Sequence, residues 1–189
     1  MNLGEPELCE IWRREAKLIQ AHLAPKRWLL SMDGIRAGGG CRPCRQRGMT
    51  MGQILGDCIT RQCAIIRETN PHAAICAWSD MLDPGDNAHG NYCLVEGDFD
   101  GSWKHVPKDL IVVCWWHRRR AESLARFSKL GFRTLAGNYY DGDTLHNPRD
   151  WLAALEETPG AMGIMYTTWR DKYDLLAVFG DLVFGRSGQ

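Results

Sequence analysis

Apolar positions recur along this chain in two rhythms, one of helical spacing and one of short unbroken runs. Residues 6–23 carry Leu8, Ile11, Trp12, Ile19 and Leu23 at helical intervals behind Pro6, which suits a first turn, and Ala24-Pro25 ends the segment. Arg27 to Met32 is a short apolar run of the kind a buried parallel strand shows. Thr50 with Gln53 three residues later forms a capping-box pattern, and Ile54, Leu55, Cys58, Ile65 and Ile66 give the helix an apolar face until Asn70-Pro71. A second strand is expected at Ala73–Ser79, a third at Asp109–Trp116 and a fourth at Arg133–Tyr140. Gly163 to Tyr166 lies in a fifth. Helices are expected from Arg118 to Leu130 with Gly131 as its C-terminal glycine, after an Asn147-Pro148 cap with Trp151, Leu152 and Leu155 inward, and over Tyr173–Val183. The final helix carries Leu175, Leu176, Phe179 and Leu182. Between the second and third strands runs an irregular stretch of about thirty residues, too long for a plain connector and therefore expected to be functional or mobile.

Strict alternation of strand and helix implies parallel strands joined by right-handed crossovers. The strands end in Asp33, Asp80, Trp116, Asp141 and Trp169, so each delivers an acid or a flat ring at the same end. That is the arrangement of a (β/α) barrel, whose C-terminal rim holds the active site. Five strands are too few for a closed (β/α)8 TIM-type barrel, which takes roughly 250 residues. The expectation is one α/β domain over residues 1–189, with an incomplete barrel as its fold. A flavodoxin-like sheet is the competing topology. It would need a phosphate-binding glycine loop directly before a helix, whereas Gly38–Gly40 stands well ahead of Thr50 and carries neither GxGxxG nor a P-loop lysine.

Charge narrows the partners. The 23 basic and 23 acidic residues cancel, which removes bulk electrostatic support for nucleic-acid or anionic-membrane binding. The one basic run, His117–Arg120, reads as a solvated helix start. No apolar stretch approaches the ~20 residues of a membrane span. The N-terminal residues show no signal-peptide pattern, so a cytoplasmic location is expected. Of the eight cysteines, Cys58, Cys63, Cys76 and Cys114 fall on helix or strand positions where packing accounts for them. Cys41 and Cys44 form a single CxxC without a second ligand pair, and the expectation there is a loop turn with two thiols.

A sugar site needs flat apolar walls against pyranose rings and carboxylates for protons and hydroxyls. The strand ends offer Asp33, Asp80 and Asp141 with Trp78, Trp115, Trp116, Tyr139, Tyr140 and Trp169. This ordered series resembles the family 20 glycoside hydrolases, the β-N-acetylhexosaminidases and their relatives. The resemblance covers nearly the whole chain, as the C-terminal part of that barrel, about five β/α units. It implies that Asp33 orients and polarises the substrate's acetamido group and that Tyr140, or less readily Tyr139, hydrogen-bonds its oxygen. It implies a sugar-hydroxyl ligand at Asp141 and an aromatic box of Trp78, Trp116 and Trp169, with Asp80 near an acid-bearing position. The family's general-acid glutamate follows the aspartate directly, and here that position is Gly34. A missing general acid implies impaired hydrolysis, since such groups contribute about 10² to 10⁴ in rate.

The expected partner is therefore a hexosamine or related hexose, with no cofactor and no metal, and with self-association or a separate N-terminal barrel part to complete the sheet. Two alternatives stand beside the impaired hydrolase. One is a non-catalytic carbohydrate-binding protein that keeps the aromatic box. The other is a metal-dependent barrel hydrolase using Asp33, Asp80, His89, His117 and Asp141, which lacks an HxH or HExxH pair.

Overall fold

Thr50 opens the helix that organises the N-terminal part of the chain, and it does so through the expected capping box. Its hydroxyl accepts from the Gln53 N–H at 3.2 Å, and the Gln53 side chain accepts from the Thr50 N–H at 2.9 Å. A computed structural model describes residues 6–139 and 141–185. The architecture is mixed α/β, and all five expected strands are present. The chain divides into two compact units, Met1–Ile111 and Val112–Gln189.

The first unit contains α1 (Pro6–Leu23), β1 (Arg27–Leu29), β2 (Ala37–Gly38), α2 (Arg42–Gln46), α3 (Met51–Thr69), β3 (Ala74–Trp78) and β4 (Leu94–Val95). β1 lies parallel to β3, with Arg27, Trp28 and Leu29 opposite Ala74, Ile75 and Cys76. The two longer strands of this unit are thus parallel neighbours with α3 between them in the chain, as in a β/α unit. β1 ends sooner than the apolar run because Ser31 and Met32 adopt φ of +60° and +66°, a left-handed backbone that no ladder accommodates. α3 supplies buried Ile54, Leu55, Ile59 and Ile66 to the core of this unit, and Ile75 of β3 is buried as well. α1 departs from expectation. Ile11, Ile19 and Leu23 are exposed, and Ala16 is its buried apolar residue.

The long stretch after β3 is packed rather than loose. Met81, Leu82, Ala88 and Phe99 are fully buried, β4 pairs with β2, and the buried Ser102 hydroxyl donates to the Met81 carbonyl at 3.1 Å. A turn of 3₁₀ helix at Ser102–Lys104 lies against α3. Two glycines one helical turn apart permit this approach. A Cβ on Gly52 would stand 2.9 Å from the Asp100 carbonyl oxygen, and one on Gly56 would stand 2.3 Å from the His105 Cβ. The β2, β4 and α2 elements carry no periodic signal and were not expected from the sequence.

β5 (Ile111–Cys114) leads from the first unit into the second, which holds α4 (Arg120–Lys129), β6 (Arg133–Tyr139), α5 (His146–Glu156), β7 (Ala161–Thr167) and α6 (Leu176–Phe184). The helix expected from Arg118 begins instead as a 3₁₀ turn over His117–Arg119. It ends as expected at Gly131, at φ +85°. There the Phe132 N–H donates to the Phe127 carbonyl and the Gly131 N–H to that of Ser128, while the Phe127 and Phe132 rings meet edge to face at 6.2 Å. Those are the bonds and the apolar contact of a Schellman cap. β6 and β7 pair in parallel, with Asn138 opposite Tyr166 and Tyr139 opposite Thr167. Trp151 and Leu155 of α5 are buried as expected, but Asn147 lies within the helix and no side chain caps it. α6 starts three residues later than the apolar pattern implies, with Phe179 buried and Leu176 exposed.

The close approach at α3 reverses a common rule. In an open helix interior, glycine to alanine stabilises by about 1 kcal/mol. Gly180 of α6 has nothing within 4 Å of a would-be Cβ, so Gly180→Ala should follow the rule. Gly56→Ala must push the His105 backbone away, and overpacking of this kind costs about 1–3 kcal/mol. Chemical denaturation of the two variants should shift the midpoint in opposite directions, and a shift in the same direction would contradict this packing.

Candidate functional site

The end of β1 and the end of β3 are joined by one buried carboxylate. Asp80 follows β3 and is 2% exposed. Its Oδ2 accepts from the Gly34 N–H at 2.9 Å and from the Asn87 side-chain amide at 3.0 Å. Its Oδ1 has no hydrogen-bond partner among the described residues. Burial pushes the Asp80 carboxyl above the usual aspartate range. The bonds from Gly34 and Asn87 oppose this, and the nearby Asp33 charge adds to it.

Asp33 itself stands on the loop that leaves β1. Ser31, Met32 and Gly34 around it all have left-handed φ, and the Trp78 N–H holds the Ser31 carbonyl at 3.1 Å. Two successive non-glycine residues in that region cost of order 1–3 kcal/mol each, a strain that clusters at functional sites and needs firm support. Asp80 and Trp78 provide the support. A cavity of about 380 Å³ lies along this loop, lined by Met32, Ile35, Ile54 and Phe99 with Ser31, Asp33 and Gln62 as polar members. Trp78 closes β3 and is half-buried. The first unit thus brings together Asp33, Asp80 and the backbone of Gly34.

In the second unit Asp141 is a loop organiser. Its Oδ1 accepts from the Thr168 hydroxyl at 2.7 Å and the Arg170 N–H at 3.2 Å, and its Oδ2 from the Trp169 N–H at 3.1 Å. The carboxylate that follows β6 therefore fixes the backbone of the tryptophan that follows β7. The Trp169 ring is 69% exposed, so the fixed backbone presents it to solvent. Trp116 is 36% exposed, with the Arg119 guanidinium 6.0 Å from its ring. Tyr140 lies outside the described residues, and for Tyr139 the description covers the backbone in β6.

Sequence reasoning missed Asn87 and Thr168, the partners of the two buried or captured aspartates. Neither sits in a motif. It also missed Asn138, a fully buried residue of β6 whose side-chain amide has no partner among the described residues. The two histidines of the metal reading are engaged elsewhere. His117 Nε2 meets Asp150 at 3.0 Å, and His89 Nδ1 meets the Gly90 carbonyl at 2.7 Å. Among the described residues no group of three His, Cys, Asp or Glu side chains is placed to hold a metal ion. The basic run is a helix start, as expected, with Arg119 on Glu122 and Arg120 on Asp150 and the His117 carbonyl. No described helix is long and apolar enough to cross a membrane.

No protein-family model and no curated protein sequence matches the chain. Solved structures do. A GH20 exo-β-N-acetylglucosaminidase from Vibrio harveyi, in complex with N-acetylglucosamine, superposes with a TM-score of 0.58 at 17% identity, covering 87% of this chain. An inactive mutant of the enzyme from the same organism gives 0.56, also at 17% identity and 87% coverage. The chain spans 27% of the length of each. This protein is thus similar in fold to one part of a GH20 exo-β-N-acetylglucosaminidase.

Proposed function

We propose that this chain is a family 20-like glycoside hydrolase module that recognises a hexosamine or related hexose, with hydrolysis impaired at Gly34. The observation that carries the reading is the placement of Asp33 and Gly34 side by side on a strained strand-end loop held by Asp80. The fold likeness supports it from outside the site.

On this reading Asp33 orients the acetamido group so that its own oxygen attacks the anomeric carbon, the substrate-assisted route. Trp169 and Trp116 offer flat exposed faces for sugar rings, and Trp78 closes the strand beside Asp80. The leaving oxygen still needs a proton, and Gly34 offers only a backbone N–H, already given to Asp80. Asp80 holds its proton more firmly than an ordinary aspartate, yet it is buried and engaged in holding the loop. It is the first candidate for a substitute acid.

Binding does not need the missing acid. Titration with N-acetylglucosamine should perturb tryptophan fluorescence at millimolar ligand, and Trp169→Ala should weaken the effect about tenfold, the loss of one good stacking contact. A folded sample whose spectrum ignores the sugar would sink the reading. A Cβ at Gly34 meets nothing within 4 Å, so a longer side chain finds room. Gly34→Glu should raise hydrolysis of unactivated N-acetylhexosaminides by about 10² or more. At φ +56° it should also lower stability by about 1–2 kcal/mol. Activity that is unmoved by Gly34→Glu but lost in Asp80→Asn would transfer the acid's role to Asp80.

Asp80 also sets a pH dependence. Because its folded-state pKa is raised, the folded protein binds the proton more tightly than the unfolded chain does. Its contribution is fully present below the ordinary aspartate value and is lost as pH rises through the raised one. Asp80→Asn keeps an acceptor for Gly34 and removes the titration. Melting temperatures between about pH 4 and pH 7 should fall with pH more steeply in the native protein than in Asp80→Asn. Parallel profiles would show that burial does not perturb this carboxyl.

A further inference from the structure

We propose that Cys41 and Cys44 form a thiol–disulfide exchange site, with Cys41 as the attacking thiol and Cys44 as the resolving one. Spacing alone predicts only a turn with two thiols here. The structure adds three observations. The two sulfurs are hydrogen-bonded 3.1 Å apart, so a small rotation of either side chain brings them to bonding distance. Cys41 is exposed while Cys44 is 7% exposed, the asymmetry that lets a substrate reach one sulfur and leaves the other to attack from behind. Pro43 stands between them in the first turn of α2, fixing the backbone that holds the pair.

Charge around the pair favours a thiolate. Arg42 and Arg45 flank it, Arg45 is only loosely paired with Glu96 at 3.7 Å, and the first turn of α2 has no acidic residue. The hydrogen bond between the two sulfurs draws the Cys41 thiol below its ordinary value and pushes Cys44 up. The other cysteines of this unit give the contrast. Burial pushes Cys58 up to about 12 and Cys63 up to about 11, which makes them inert. A zinc role would need further ligands, and among the described residues no third His, Cys, Asp or Glu joins the pair.

The substrate class is a small disulfide, RSSR. The Cys41 thiolate attacks one sulfur, the RS–SR bond breaks, and RS⁻ leaves and takes up a proton equivalent to the one Cys41 released. Cys44 then loses its proton and attacks the Cys41 sulfur, the Cys41–Cys44 bond forms, and the second RS⁻ leaves and is protonated. The protein gives up two electrons and two protons, and RSSR becomes two RSH. Cys44 also lines the cavity that Asp33 borders, so the new bond forms in one wall of that cavity.

Oxidised glutathione is the probe, with quenched samples read by peptide mass mapping. In the native protein a Cys41–Cys44 link should accumulate with only a transient adduct on Cys41, and Cys41 should react at least about tenfold faster than exposed Cys93. Cys44→Ser should trap the glutathione adduct on Cys41, and Cys41→Ser should form neither adduct nor link at this pair. A stable Cys41 adduct in the native protein, or equal rates at Cys41 and Cys93, would overturn the proposal. The time course of the native protein decides the matter even where a variant fails to fold.

Discussion

The candidate site of the first unit depends on one buried carboxylate. Asp80 is reached by the chain two residues after β3 ends, in a place where an ionised group is costly unless hydrogen-bonded. Two bonds to one oxygen partly meet that cost. In return the acid holds Gly34 in place, and with it the loop on which Asp33 stands. The raised pKa and the unpartnered second oxygen express the same compromise, a group held where its charge is disfavoured because its position is needed. Asp141 plays the corresponding part in the second unit at the surface. It captures three donors from the loop after β7, so the posture of Trp169 depends on a residue that follows a different strand.

Most of the frame could be read from the residues because it rests on local chemistry. The Thr50 box, the Gly131 cap and the apolar runs of β3 and β5 each carry their cause within a few positions of sequence, and each appears where expected. Failures lie where the cause is distant. Nothing near Ile19 or Leu23 tells that their face of α1 stays exposed, and nothing near Gly52 or Gly56 tells that the 3₁₀ turn at Ser102 will come to rest on them. Strand-end acids could be found from their positions, but not their division of labour. From the sequence Asp80 stands near an acid-bearing position and Asp141 resembles a sugar-hydroxyl ligand. The structure finds a buried tie in one and a loop clasp in the other, and the partners that define those roles, Asn87 and Thr168, sit in no motif.

α3 shows how one helix can serve three neighbours by dividing its surface. Its Ile54, Ile59 and Ile66 side feeds the core. Its small-residue side, Gly52 and Gly56, admits backbone where any side chain would collide. Asp57, between those glycines and the core face, is clamped by Arg47 at 2.5 Å and Arg61 at 2.9 Å. Burial there works against the Asp57 charge, but the two guanidiniums outweigh it and its pKa falls below the usual aspartate range. Arg47 lies just beyond α2, so this ion pair fixes the segment that carries Cys41 and Cys44 to the most firmly capped helix of the unit.

Gly34 has a conformational role of its own. Its φ of +56° lies where a side chain is strained, and it follows Ser31 and Met32, which already occupy the same region. A glutamate at this position would add a further left-handed residue with a Cβ to a loop that has two. The glycine therefore relieves the very segment that Asp80 and Trp78 hold in place, and its N–H is free to approach Asp80 closely. Chemistry and backbone are coupled at this point. A loop with this path gains stability from glycine at this position. A carboxyl group placed at Gly34 would therefore meet open space on its side-chain face and resistance from its own backbone.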